Sequence, residues 1–364
     1  MVFLLTQVTE YFLSRQYENV QKKSGVKRSI RLREHQPDQD MYLIPDSDNM
    51  KKADSLEQKQ YRFRTDNNGF VRPSDIHVKP ELTIVFLGGS TTECMYVDEE
   101  LRFPYYTGKL LEKESGLKVN SYNSGVSGNN SMHSNDILLN KVIPLHPDYA
   151  ILHHNINDIT ILLIQGGYWN DHFNRSLIYK TLLQKDSTKD FSIHSKLKAV
   201  KDLICPNLYR AIQSFWGNKK LADRDEWEEF RGKKITINKK FILSEFRKSL
   251  NTFINICRVH EIVPILMTQA SRLKKEPDQN IAEIVFHLKR DFGIEYDQFR
   301  EIHCDMNETI RRVALDNKVT LVDLEKEIPK EKSHIYDVAH YNNEGSKAVA
   351  EIVAGKVFTL LFDS

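Results

Sequence analysis

Short apolar runs alternate with amphipathic helical patterns from residue 82 to the end of the chain. Continuous runs of apolar and β-branched residues occur five times, at Leu82–Leu87, Val119–Tyr122, Tyr149–Leu152, Ile262–Met267 and Val319–Leu324. Runs of this kind, rather than strictly alternating ones, are typical of strands that are buried on both faces of a parallel sheet. The hydrophobic pattern therefore predicts five buried strands.

Amphipathic helical segments lie between and after these runs. The longest pattern places Phe246, Leu250 and Phe253 on one face of a helix. The predicted helices span residues 105–114, 135–142, 240–259, 298–316 and 346–361. This alternation of strands and helices predicts an α/β fold built on an open, doubly wound sheet.

Two stretches fall outside the alternation. Residues 1–80 form a predicted N-terminal extension, in which a basic stretch from Lys22 to Arg33 precedes a polar, turn-rich segment. We interpret the basic stretch as a solvated face; contact with an anionic membrane surface or with a partner is the alternative, and membrane contact is not expected. Residues 166–240, after the third strand, are predicted to form a mostly helical insertion in a domain that spans residues 81–364.

Composition narrows the class of protein. Of the 364 residues, 40% are hydrophobic and 28% are charged, which is enough apolar material for a sizeable core. The 52 Lys and Arg residues nearly balance the 50 Asp and Glu residues, so the net charge of +2 gives no reason to expect a nucleic-acid partner. Four cysteines without a CxxC pair predict free thiols in a reducing compartment. The apolar start lacks the basic region and cleavage site of a signal peptide, so we expect a cytoplasmic protein; a membrane anchor upstream of this sequence is the alternative.

Small and polar residues follow the predicted strands at the point where each strand ends. Gly88-Gly89-Ser90 follows the first strand, Asn123 to Asn129 the second, and Asn155 to Asp158 the third. Asp337 and His340 lie just before the last helix. Because the carboxyl ends of parallel strands meet at one edge, where open α/β sheets bind their ligands, we expect these groups to act together.

The four groups together resemble the motif blocks of the SGNH hydrolases, also called GDSL-type serine esterases. The blocks correspond here to Gly88-Gly89-Ser90, Asn123-x-Gly125-x-x-Gly128-Asn129, Asn155-x-Asn157-Asp158 and Asp337-x-x-His340. Gly89 stands where the family usually has Asp, and Asn155 where it usually has Gly; both departures bear on geometry and subfamily rather than on reaction type. The resemblance covers about residues 81–160 and 335–361. It implies a flavodoxin-like, three-layer, open parallel sheet of about five strands, the SGNH hydrolase fold.

The resemblance assigns catalytic roles to Ser90, Asp337 and His340, and the chemistry of these residue types agrees. A serine hydroxyl is a poor nucleophile until a base, here the imidazole, takes its proton, and a carboxylate three residues earlier can fix the imidazole tautomer. The implied oxyanion hole combines the backbone N–H groups of Ser90 and Gly128 with the amide of Asn157. Taken singly, each residue has an ordinary alternative: a helix cap for Ser90, Asp337 and Asn157, and a turn for Gly128.

The expected function is that of a serine esterase which releases a small acyl group, such as acetate, from a carbohydrate or similar polar substrate through an acyl-enzyme. Two alternatives stay open: an O-acyltransferase acting on a surface glycan, and a binding protein with a vestigial site. No cofactor or metal is expected, because His153 and His154 have no further ligand pair at metal spacing and are interpreted as buried or pocket-lining. Tyr168, Trp169 and Trp227 are interpreted as core residues or as walls of a sugar-binding cleft.

Overall fold

The strands and helices are taken from a computed structural model, which describes residues 26–182 and 226–362. In these ranges the strands are β1 (Val26–Ile30), β2 (Asp40–Leu43), β3 (Tyr61–Arg64), β4 (Leu82–Gly88), β5 (Val119–Asn123), β6 (Tyr149–His153), β7 (Ile178–Leu182), β8 (Val263–Met267) and β9 (Thr320–Val322). The α-helices are α1 (Ser47–Lys52), α2 (Ser90–Glu93), α3 (Phe103–Ser115), α4 (Ser131–Ile137), α5 (Ile156–Ile164), α6 (Lys239–Val259), α7 (Gln279–Phe292), α8 (Tyr296–Asn317), α9 (Leu324–Glu327) and α10 (Asn343–Phe362).

The central sheet of the described chain has five parallel strands in the order β5-β4-β6-β8-β9. Numbered by their occurrence in this sheet, the order is 2-1-3-4-5, which is the flavodoxin-like arrangement of a doubly wound fold. The apolar runs of the sequence form buried strands, as predicted: all five residues of β6 are buried, as are six of the seven in β4. The predicted fold class is confirmed.

Helices cover both faces of the sheet. Helices α3 and α10 pack against each other, and their residues share a core cluster with Ile84 and Phe86 of β4. Because side chains alternate between the faces of a strand, Val85 and Leu87 point to the opposite face, where they are fully buried. Helices α4, α6 and α8 lie on that side, and α6 packs on both α4 and α8. The layers are therefore helix, sheet and helix.

Residues 32–80 pack onto the sheet domain. They belong to the compact unit that comprises Leu32–Leu177 and Phe230–Ser364. The Arg102 guanidinium, which is only 1% exposed, donates hydrogen bonds to the backbone carbonyls of Arg62 at 2.7 Å and Arg72 at 2.9 Å. A third bond, to the Cys94 carbonyl, is 3.2 Å long. A buried charge of the sheet domain thus takes two of its three acceptors from the segment before residue 80.

The second compact unit is described only in part. Strand β1 pairs antiparallel with β7, with Val26 opposite Leu182 and Ile30 opposite Ile178. The described ends of the predicted helical insertion hold β7 and a 3₁₀ turn at Glu228–Phe230, and α6 begins at Lys239. Residues 183–225 of that insertion, and the first part of the basic stretch, lie outside the described residues. Nowhere in the described chain does a helix combine the length and apolar character needed to cross a bilayer.

We predict that Arg102→Met lowers the free energy of unfolding by roughly 2–4 kcal/mol, because three backbone carbonyls lose their buried donor. Urea denaturation measures the change. The matched control is Arg247→Met, which removes an exposed ion pair with Asp316 and should alter stability by less than about 0.5 kcal/mol. Equal stability of the two variants would contradict the role assigned to Arg102.

Candidate active site

Ser90 lies at the carboxyl end of the central strand β4, as the first residue of the short helix α2. The preceding residue, Gly89, is the helix N-cap and lies against the Asn157 side chain. A Cβ at position 89 would fall 2.3 Å from Asn157 Nδ2, closer than any side chain permits. A side chain at position 89 would therefore require the Asn157 amide to move.

A continuous hydrogen-bonded chain joins Ser90, His340 and Asp337. The distance from Ser90 Oγ to His340 Nε2 is 2.7 Å, and that from His340 Nδ1 to Asp337 Oδ2 is also 2.7 Å. The other carboxylate oxygen of Asp337 accepts the backbone N–H groups of Ala339 at 2.9 Å and His340 at 2.8 Å. The carboxylate therefore fixes Nδ1 as the protonated nitrogen, which leaves Nε2 free to take a proton from the serine.

The electrostatics of this chain favour a charged pair between Asp337 and His340. Burial lowers the pKa of the His340 imidazole, but the charge and hydrogen bond of Asp337, with a further contribution from Glu93, raise it above its ordinary value. Burial alone would raise the pKa of the Asp337 carboxyl; His340 and the two backbone N–H groups hold it below its ordinary value instead. An imidazolium formed when Ser90 loses its proton would thus be stabilised by a carboxylate that stays ionised.

Ser90, Gly128 and Asn157 line the same cavity as His340. The Asn157 amide donates a hydrogen bond of 2.8 Å to the Asn129 carbonyl, and a primary amide has a second N–H for a ligand. Gly128 has a φ of +76°, in the left-handed region that favours glycine, and a Cβ there would lie 3.0 Å from the Arg175 guanidinium carbon. The structure therefore brings together all three residues predicted for the oxyanion hole.

Buried hydrogen bonds hold the motif block Asn155-x-Asn157-Asp158 in place. Asn155 adopts a φ of −166°, extended backbone that any residue can adopt, so the glycine usual at this place is not required. Its amide donates to the His303 carbonyl at 3.0 Å and to Asn307 Oδ1 at 2.9 Å. Asp158, which is fully buried, accepts from the backbone N–H of Ser131 at 3.0 Å and from the Tyr168 hydroxyl at 2.6 Å. These bonds fix Asn157 between two anchored neighbours.

The cavity over Ser90 has a volume of about 480 Å³ and a mixed polar and aromatic wall. Sequence reasoning did not identify several of its residues: Asn49, Lys52, Tyr96 and Arg175. Asn49 and Lys52 belong to α1, within the stretch predicted to be an extension, and Arg175 belongs to the predicted insertion. No motif marks these positions, because their place in the cavity depends on long-range packing.

The other candidate residues lie away from the cavity. His153 and His154 are buried; burial lowers the pKa of each imidazole to about 3, and the rings contact Thr92 and Ser134 respectively. Tyr168 is a core residue, whereas Trp169 is 69% exposed, and neither it nor Trp227 lines the cavity. Tyr96 and Tyr336 supply the aromatic wall instead. Within residues 26–182 and 226–362, no cluster of three His, Cys, Asp or Glu residues is placed to hold a metal ion.

No protein-family model matches the chain, and no curated protein sequence matches it. Solved structures that are similar include Axe2, an acetylxylan esterase from Geobacillus stearothermophilus, at 14% identity and a TM-score of 0.44, covering 77% of this chain and 95% of that one. LAE5, an alpha/beta hydrolase enzyme from the metagenome of Lake Arreo, Spain, is similar at 15% identity and a TM-score of 0.42, covering 76% of this chain and 95% of that one. At this level of similarity, neither structure bears on the activity of this chain.

We predict that Gly128→Ala lowers turnover at least about tenfold, because a left-handed φ disfavours alanine and the new Cβ displaces either the loop or Arg175. Gly116→Ala is the matched control: its φ of +74° is equally strained, but its surroundings are open. Steady-state rates of both variants, measured beside their melting temperatures, separate the loss of the N–H position from the shared backbone strain. Equal activity of the two would contradict a role for Gly128 at the site.

We also predict a pH profile that rises with a midpoint above 6.5, the ordinary pKa of an imidazole, because His340 must be neutral to accept a proton and its pKa is raised. The rate should be low in acid and reach a plateau in mild alkali. Asp337→Asn removes the negative charge that raises this pKa, so the midpoint should move down while the plateau also falls. A rate that is flat from about pH 5 to 9 would contradict His340 as the base.

Proposed function

We propose that the chain is a serine hydrolase of the SGNH type, which cleaves a small acyl ester, such as an O-acetyl group, from a carbohydrate or similar polar substrate. The single observation that carries the proposal is the hydrogen-bonded chain from Ser90 through His340 to Asp337, with both key distances at 2.7 Å. The order of the four motif blocks supports the same conclusion. So does the location of Ser90 at the carboxyl end of the sheet, where open α/β folds bind their ligands.

The proposed reaction has two stages. Ser90 Oγ attacks the ester carbonyl carbon while its proton passes to His340 Nε2, and the carbonyl oxygen becomes an oxyanion held by the N–H groups of Ser90, Gly128 and Asn157. The bond to the leaving alcohol then breaks as His340 returns the proton to the alcohol oxygen. In the second stage a water loses a proton to His340 and attacks the acyl-enzyme, and the acid leaves as Ser90 recovers its proton.

The residues of the cavity wall support the proposed substrate class. Asn49 and Lys52 bring an amide and an ammonium group to a cavity that Tyr96 and Tyr336 also line. Polar groups of this kind bind sugar hydroxyls, and tyrosine rings present flat apolar surfaces with a polar end. The cavity is open to solvent, which allows a bulky polar alcohol to be carried outside while only its acyl group reaches Ser90.

Hydrolysis of p-nitrophenyl esters of increasing acyl length, together with acetylated sugars, tests the proposal. The expected result is highest activity on acetyl esters, and a loss on the order of 10⁴–10⁶-fold in kcat for Ser90→Ala. Ser115→Ala is the matched control, since that hydroxyl lies at the end of α3 and bonds to the Leu111 carbonyl. Covalent labelling by a fluorophosphonate should occur in the wild type at Ser90 and be absent from Ser90→Ala.

Wild-type turnover by Ser90→Ala, or labelling at a residue other than Ser90, would overturn the serine mechanism. The same assay decides between water and a sugar as acyl acceptor. If added free sugar becomes acetylated faster than acetate is released, the chain is an O-acyltransferase; release of acetate at an unchanged rate supports the hydrolase. Activity that chelation abolishes and zinc or manganese restores would contradict the metal-free mechanism.

A further inference from the structure

The segment that precedes the sheet domain contacts the loop that carries Gly128. Arg33 Nη2 donates to the Ser127 carbonyl at 3.0 Å, and the Asn129 amide donates back to the Arg33 carbonyl at 3.0 Å. His35 Nε2 lies 3.2 Å from the Gly125 carbonyl oxygen. These three contacts hold both ends and the middle of the loop from Gly125 to Asn129, which we call the oxyanion loop.

A buried carboxylate completes the arrangement. Glu93, the last residue of α2 and only 1% exposed, lies 2.9 Å from His35 Nε2 and accepts a hydrogen bond from the Ser127 hydroxyl. Because both atoms near His35 Nε2 are acceptors, that nitrogen must carry a proton, which it donates to the Gly125 carbonyl while the carboxylate lies beside it. The helix that begins at Ser90 is thus joined through Glu93 to the oxyanion loop.

The oxyanion loop also determines the position of Asn157, the side-chain donor predicted for the oxyanion hole. The Asn129 carbonyl accepts the Asn157 amide at 2.8 Å, so a displacement of the loop would move Asn157 as well as the Gly128 N–H. Oxyanion donors act only at distances of about 2.7–3.1 Å, and a shift of about 1 Å can cost roughly a hundredfold in rate. Contacts that determine the position of the loop therefore bear directly on turnover.

We propose that His35 and Glu93, assisted by Arg33, are positioning residues that hold the oxyanion loop against the helix of Ser90, so that residues of the N-terminal segment contribute to catalysis without touching the substrate. The inference rests on the proposed function, because it presumes that Gly128 and Asn157 bind an oxyanion. It goes beyond that function by assigning a role to a segment outside all four motif blocks.

Substitution of His35 tests the proposal more cleanly than substitution of Glu93, whose charge also acts on His340. In the full chain, His35→Leu removes the donor, whereas His35→Gln keeps an N–H at a similar distance from the backbone. We expect His35→Leu to lower kcat about 10- to 100-fold with little change in KM, and His35→Gln to restore most of the rate. His77→Leu is the matched control, since His77 makes a similar 2.8 Å pair with Glu112 but its hydrogen bonds go to Glu112 and Asn120 rather than to the oxyanion loop.

An alkyl boronic acid gives a readout that a purely structural role would not change. Addition of Ser90 Oγ to the boron forms a tetrahedral anion whose oxygen would occupy the oxyanion hole, so its inhibition constant reports the donors directly. We expect His35→Leu to raise this constant in proportion to its loss of kcat. If His35→Leu proves too unstable to purify, Arg33→Met, which removes the hydrogen bond to the Ser127 carbonyl, should show the same proportionality with a smaller loss.

The outcomes are distinct. A lower melting temperature with unchanged kcat and inhibition constant for His35→Leu would overturn the positioning role and leave His35 as a structural residue. A loss of kcat without weaker boronate binding would also overturn it, because the effect would not act through the oxyanion loop. Failure of the proposed function itself would appear earlier, as a wild-type protein in which fluorophosphonate does not label Ser90.

Discussion

The location of β4 between β5 and β6 is the constraint on which the active site depends. Parallel pairing sets Phe86 opposite Asn123 on one side and Gly88 opposite His153 on the other. Strands β4 and β6 therefore end at the same level and β5 ends two residues earlier, so the chain segments that leave them approach one another near Ser90. A register shift of one residue in either pair would turn every side chain of the shifted strand to the other face. The hydrophobic core that fills both faces of the sheet thus also fixes the distances among Ser90, Gly128 and Asn157.

Much of this arrangement could be predicted from the sequence, because it depends on local patterns. Five continuous apolar runs became the five strands of the central sheet, and the order of the motif blocks indicated which residues would meet at its edge. The prediction for α4 was less accurate: residues 135–142 were expected, but the helix begins at Ser131 and continues beyond Ile137 as a π-helical turn. Its buried face carries Ser131, His133 and Ser134, so hydrophobic periodicity does not mark its beginning.

Other features depend on long-range contacts that no local pattern encodes. The pairing of β1 with β7 joins residues about 150 positions apart. The apolar content of β7 resembles that of any short amphipathic segment, so its pattern alone did not predict a strand. No sequence pattern indicated that Glu93 and His35 would meet. The available clue was Glu93 itself, an acidic residue three positions after the serine on a helix whose other residues are small. Buried polar clusters of this kind are costly unless every member is bonded, and for that reason they fix one arrangement of the loops around them.

The buried guanidinium of Arg102 has a consequence for protein engineering. A domain truncated or transplanted at residue 80 would contain all four motif blocks. It would lack two of the three carbonyls that accept hydrogen bonds from this side chain. The remaining fragment would keep every residue of the four motif blocks while leaving the Arg102 guanidinium with one carbonyl acceptor, that of Cys94. For this chain, the smallest portable module therefore begins near Leu32, where the compact unit itself begins. The segment that contains the catalytic motifs is therefore shorter than the segment that packs as one compact unit.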